Sequence, residues 1–133
     1  MEYDFTQELQ KIEAVLEKAL PDDAGVAWCQ QQFGTISQAV TAQHVAPLLT
    51  PCTRLMHLGG KRWRPLLQIL CAQAMAGTDT PPEVAYQLTP LVEFVHTASL
   101  IHDDIEDNAD MRRGMPCAHI SFGFSLTLKM KSV

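Results

Sequence analysis

Residues 102–114 read His-Asp-Asp-Ile-Glu-Asp-Asn-Ala-Asp-Met-Arg-Arg-Gly. Asp103, Asp104, Glu106, Asp107 and Asp110 place five acids in eight positions, and Arg112 and Arg113 follow at once. Carboxylates packed this densely repel one another unless a cation lies among them. Hard oxygen ligands suit Mg²⁺, which keeps several waters and is commonly shared between carboxylates and substrate phosphates. Arginine suits phosphate oxygens, which its planar fork grips bidentately. The combination points to a diphosphate held through Mg²⁺. A run of acids is more often a solvated helix end, so the context decides. Residues 88–101, Leu-Thr-Pro-Leu-Val-Glu-Phe-Val-His-Thr-Ala-Ser-Leu-Ile, are mostly apolar and lead straight into the acids. On a helix, positions i, i+7 and i+11 fall within about 20° of one another. His96, Asp103 and Asp107 have that spacing, so an imidazole and two carboxylates share a stripe with apolar neighbours, as in a pocket wall.

A second constellation is Gly-Gly-Lys-Arg-Trp-Arg-Pro at 59–65. Glycines allow the backbone to approach a ligand closely. Lys61 and Arg64 stand near a helix start, where free N–H groups also favour anions. Alone, this motif reads as a glycine cap followed by solvated basic residues. Beside the acidic cluster it offers a place for a second anion, bound without metal.

The elements that must carry these groups are helical. Residues 3–20 place Phe5, Leu9, Ile12, Val15, Leu16 and Ala19 at helical spacing. Pro21-Asp22-Asp23 breaks that helix. A second helix is expected over 26–46, weakened at Gly34. Pro47 and Pro51 bracket a short break, and 52–58 form another helix ended by Gly59-Gly60. Residues 66–76 read as a buried helix with Pro65 near its first turn. Residues 83–107 read as one long helix, with Pro90 a candidate kink. No segment shows the period-2 alternation of a strand. The expected class is all-α, a helical bundle with a central pocket.

The chain has 133 residues, the size of one domain, and its composition is ordinary for a globular protein: 47% hydrophobic, 19% charged. A net charge of −5 argues against a nucleic-acid partner. Half of the ten basic residues fall in the two clusters Lys61-Arg62-Arg64 and Arg112-Arg113, which suggests local anion sites. Cys29, Cys52, Cys71 and Cys117 form no Cys-x-x-Cys pair, and read as reduced thiols of a cytoplasmic protein. The acidic N-terminus is not a signal peptide. No apolar run approaches the ~18 residues of a membrane span.

Three segments resemble the trans-isoprenyl diphosphate synthases, the polyprenyl synthetase family. They are Gly-Gly-Lys-Arg-Trp-Arg-Pro at 59–65, Glu-Phe-Val-His-Thr-Ala-Ser-Leu-Ile-His-Asp-Asp-Ile-Glu-Asp at 93–107, and Met-Arg-Arg-Gly-Met-Pro-Cys-Ala-His-Ile-Ser-Phe-Gly at 111–123. The resemblance covers roughly 5–123. It implies an incomplete isoprenoid synthase fold, with 1–123 as the N-terminal part of a polyprenyl synthetase domain and 124–133 as a divergent tail. It implies that Asp103 and Asp107, with Asp104 between them, bind Mg²⁺ bridging to an allylic diphosphate that Arg112 also touches. Gly60, Lys61, Arg64, His96 and Arg113 would take isopentenyl diphosphate without metal. The reaction implied is ionisation of the allylic diphosphate in an apolar cavity, attack by the isopentenyl double bond and loss of a proton. Ala98 and Ser99, the fifth and fourth residues before Asp103, sit where bulky aromatics floor the cavity in short-chain members. Both are small here, so the expected product is C20 or longer. Full-length members are homodimers.

The family continues with a second aspartate-rich motif, whereas no acid follows Asp110 here. A truncated or frame-shifted chain, inactive alone, is therefore expected. Two rivals are a non-catalytic partner of a full-length synthase and an all-α phosphohydrolase using His102-Asp103 as a metal pair. The second leaves Lys61, Arg64, Arg112 and Arg113 unexplained, and hard Mg²⁺ sites seldom use imidazole.

Overall fold

The computed structural model describes residues 5–123. In chain order the elements are α1 (Phe5–Ala19), α2 (Val26–Phe33), α3 (Ala42–His57), α4 (Trp63–Ala76), α5 (Glu83–Gln87), α6 (Thr89–Glu106), β1 (Met111–Arg112), β2 (Met115–Pro116) and α7 (Ala118–Phe122). The fold is all-α apart from one small hairpin. Two compact units form: residues 5–21 with 60–96, and 22–59 with 97–123. The tail proposed for 124–133 lies outside the described residues.

In the first unit α1, α4 and α5 pack on one another. Ile12 and Leu16 of α1 and Ile69 of α4 are buried, as are Ala85 and Tyr86 of α5. Burying each large aliphatic is worth about 1.5–3 kcal/mol. The Tyr86 hydroxyl donates to the buried Glu8 carboxylate. Lys11 stands 3.6 Å from Glu8 and 5.3 Å from the Tyr86 ring centre.

The second unit is built on α3, which packs against α7. Val45, Leu55, Met56 and Cys117 are buried in it. The Thr97 hydroxyl donates to Met56 Sδ at 3.0 Å.

Three expectations need correction. The helix expected over 26–46 ends at Phe33, because Gly34 takes φ 81° and its N–H caps Gln30. The break expected between Pro47 and Pro51 is absent: α3 runs from Ala42 to His57 through both prolines. Each proline removes one donor, leaving the Gln43 and Pro47 carbonyls without their helical N–H, and burial of Val45, Leu55 and Met56 holds the helix. The single helix expected over 83–107 is two helices joined at Leu88. Pro90 has no N–H for the Tyr86 carbonyl, and the Thr89 hydroxyl takes that carbonyl instead, at 2.7 Å.

The strand missed in the sequence is the two-residue pair β1–β2. It is antiparallel, with Met111 opposite Pro116 and Arg112 opposite Met115. Its turn residues Arg113 and Gly114 have φ 51° and 78°. Two positive φ values are what a type I′ hairpin turn demands. Two-residue strands are too short to show an alternating pattern.

Candidate functional site

The end of α6 sorts its acids by direction. Asp104 is buried (3% exposed), while Asp103 and Asp107 are exposed. The helix stops just beyond, where Asn108 takes φ 51° and Ala109 N–H bonds the Asp104 carbonyl at 2.9 Å. Such a left-handed cap ends many helices, and asparagine tolerates it. The hairpin then folds Arg112 back over Asp104. Arg112 Nε donates to both Asp104 oxygens at 2.7 and 2.8 Å, and Nη2 lies 2.5 Å from Oδ1. The Asp104 hydrogen bonds, foremost among the causes, raise the Arg112 pKa above its ordinary value. A guanidinium has five N–H donors, so Arg112 retains hydrogens for another acceptor.

Arg113, beside it, donates to the Gly59 carbonyl and, at 3.5 Å, to the Leu55 carbonyl. A cation there complements the negative end of α3. Cys117 is buried, and its pKa is raised by burial first and then by Asp104. Burial also raises Cys52. Both thiols stay protonated at neutral pH.

The glycine-basic motif begins at the C-terminus of α3, where Gly59 takes φ 76°. Its first arginine, which the sequence placed with Lys61 and Arg64 in a cluster suited to anions, is buried and paired with carboxylates instead. Arg62 is 5% exposed and has φ 46°. A non-glycine residue held there costs on the order of 1–3 kcal/mol. Its side chain is clamped on two edges. Nε donates to Glu13 Oε1 at 2.8 Å, and Nη1 donates to Glu93 Oε1 at 2.7 Å. Burial alone would lower the Arg62 pKa, but the hydrogen bonds and charges of Glu13 and Glu93 raise it on balance. Glu93 is itself buried (3% exposed). An acid inside the apolar run Leu-Val-Glu-Phe-Val was the signal available in the sequence, since a buried carboxylate needs a partner.

Around this clamp, Lys61 is exposed, Gly60 is exposed and Arg64 is half-buried. Arg64 Nη1 donates to His96 Nε2 at 2.9 Å, and its guanidinium lies 4.5 Å from the Trp63 ring centre. Arginine can only donate, so the bonded His96 nitrogen is unprotonated. Gly60, Lys61, Arg64 and His96 belong to the first unit. Arg112, Arg113, Asp103, Asp104 and Asp107 belong to the second, as do Ala98 and Ser99, both exposed on α6.

Among the described residues no group of three or more His, Cys, Asp or Glu side chains could hold a metal ion. Two exposed carboxylates one helical turn apart do fit Mg²⁺, which binds through one or two carboxylates plus waters and substrate phosphates. Asp104 is already committed to Arg112.

Residues 45–130 match the family model of the polyprenyl synthetases. The chain belongs to the polyprenyl synthetase family. It is 46% identical over 65 residues to the octaprenyl diphosphate synthase of Escherichia coli (strain K12), covering 49% of this chain and 19% of that one. It is 44% identical over 69 residues to the geranylfarnesyl diphosphate synthase of Aeropyrum pernix, covering 52% and 21%. It is 33% identical over 95 residues to the all-trans-nonaprenyl-diphosphate synthase (geranyl-diphosphate specific) of Rhodobacter capsulatus, covering 69% and 29%. The match thus spans a fifth to three-tenths of these relatives' length. No solved structure matches the chain. No described helix is long and apolar enough to cross a membrane.

Proposed function

We propose that this chain supplies the diphosphate-binding wall of a Mg²⁺-dependent trans-prenyltransferase, which condenses isopentenyl diphosphate with an allylic diphosphate. The observation that carries the reading is the sorting of carboxylates at the end of α6. Asp103 and Asp107 face solvent one turn apart, and Asp104 between them is buried against Arg112. A solvated helix end would expose all three.

In this reading Asp103 and Asp107 hold the metal and Arg112 binds the allylic diphosphate. Asp104 orients Arg112 and leaves its remaining N–H groups for phosphate oxygens. Bound Mg²⁺ supplies positive charge that stabilises the departing diphosphate. Gly60, Lys61, Arg64 and His96 bind isopentenyl diphosphate through charge and hydrogen bonds alone. Arg113 is assigned there by resemblance. Ala98 and Ser99 add no bulk beside the metal-binding turn, which supports a product of C20 or longer. The relatives named for geranylfarnesyl, octaprenyl and nonaprenyl products support the same length class. The compartment proposed is the cytoplasm and the assembly a homodimer.

The test is equilibrium binding of farnesyl diphosphate to the purified chain, with Mg²⁺ and with a chelator. Binding should require Mg²⁺, and Asp103→Ala should remove that dependence. Equal affinity in chelator would sink the metal assignment.

A further inference from the structure

The family match begins at residue 45, so α1 lies outside it. Yet α1 reaches the glycine-basic loop through one side chain. Glu13 accepts from Arg62 Nε at 2.8 Å and from Nη2 at 3.4 Å. Glu93 holds the opposite edge, at Nη1. Carboxylates on two edges fix the plane of the guanidinium, and removing Glu13 takes one of them away. The backbone of Arg62 is the point that matters, because φ 46° there turns the chain from the loop into the first turn of α4. Lys61 lies immediately before that turn and Arg64 two residues after it. Relaxation of Arg62 to a negative φ would redirect Lys61 and alter the Arg64–His96 contact.

We propose that Glu13 is a positioning residue for the anion site: by fixing the second edge of the Arg62 guanidinium it holds Lys61 and Arg64 in a diphosphate-binding arrangement. This rests on the reading of Lys61, Arg64 and His96 as a diphosphate site. Glu13 touches no substrate in this account and acts only through Arg62.

The test uses the whole chain and inorganic pyrophosphate without metal. Trp63 is the local reporter, since Arg64 stacks on its ring. Pyrophosphate drawing on Arg64 should change Trp63 emission, read against a Trp28→Phe background. Glu13→Ala should weaken pyrophosphate binding at least fivefold and raise amide exchange of Leu66, whose N–H bonds the Arg62 carbonyl at 3.0 Å, about tenfold, while exchange at 70–75 of the same helix stays near the parent's. Glu13→Gln, which can still accept from Nε, should restore affinity to within about threefold. Glu17→Ala, one turn along α1, should leave both unchanged. If Glu13→Ala binds pyrophosphate as the parent does, or exchange rises equally along all of α4, Glu13 is only a stabilising residue and the proposal is overturned. If the parent itself binds no pyrophosphate, the diphosphate reading of this loop fails and takes the proposal's functional half with it. The exchange pattern then still decides whether Glu13 sets the loop.

Discussion

Arg112→Leu is the perturbation whose outcome the structure fixes most closely. Asp104 is 3% exposed and takes hydrogen bonds at 2.7 and 2.8 Å from Arg112. Leu55, Leu58, Pro116, Cys117 and Phe122 line the cleft beside the pair, together with Arg54, which stacks on Phe122. Deleting the guanidinium takes from a buried carboxylate the cation that hydrogen-bonds it, and breaking a buried pair in this way costs about 3–5 kcal/mol. The unfolding entropy of a 133-residue chain is about 0.28 kcal/mol/K at its midpoint, so Tm should fall by about 10–18 °C. The reverse deletion should be milder. Arg112 is 29% exposed, so in Asp104→Asn water and the new amide can serve it, at a cost of about 1–2 kcal/mol. Replacing both by leucine removes the stranded charge and should recover at least about 2 kcal/mol relative to Arg112→Leu alone. The assay is thermal or urea unfolding followed by circular dichroism at pH 7. A loss under about 1 kcal/mol for Arg112→Leu, or no recovery in the double variant, would show that Asp104 is hydrated and refute the clamp.

Glu93→Leu should destabilise by about 3–5 kcal/mol, measured by urea unfolding, because it takes a buried carboxylate from the buried Arg62. Stability should fall as pH rises past 9: the folded state keeps the Cys52 and Cys117 protons above the ordinary value of 9.0, while the unfolded chain releases them there. Urea midpoints from pH 7 to 10 should show that decline, and Cys52→Ala with Cys117→Ala should flatten it. Gly114→Ala, at φ 78° in the hairpin turn, should cost about 1 kcal/mol by the same assay. In a chimera carrying this chain's matched segment within the octaprenyl diphosphate synthase of Escherichia coli, Ala98→Phe with Ser99→Phe should shorten the products seen by chromatography. Unchanged lengths would place the floor elsewhere.

Periodic apolar spacing made α1 and α4 legible, since Ile12, Leu16 and Ile69 mark one buried face each. Proline misled twice for opposite reasons. Pro47 and Pro51 lie within a helix whose burial outweighs two missing donors, while Pro90 starts α6 because Thr89 can serve the carbonyl it abandons. The acids and the basic motif were legible as chemistry, because residue type alone carries charge. What the sequence hid was pairing. Nothing in Lys-Arg-Trp-Arg says that the first arginine is buried, and Glu13 lies 49 residues away from it. Asp104 and Arg112 are eight residues apart, and a hairpin too short to show a pattern brings them together.

The central claim is that Asp103 and Asp107 hold a divalent metal together with a diphosphate. Mn²⁺ can stand in for Mg²⁺ and broadens the amide resonances of nearby residues. With the isotopically labelled chain, Mn²⁺ plus farnesyl diphosphate should broaden residues 103–107 strongly, and Asp103→Ala should abolish the effect. Broadening spread evenly over the exposed acids of the chain, Glu17 and Glu83 included, would mean that the cluster only attracts cations as a solvated helix end does, and would contradict the account.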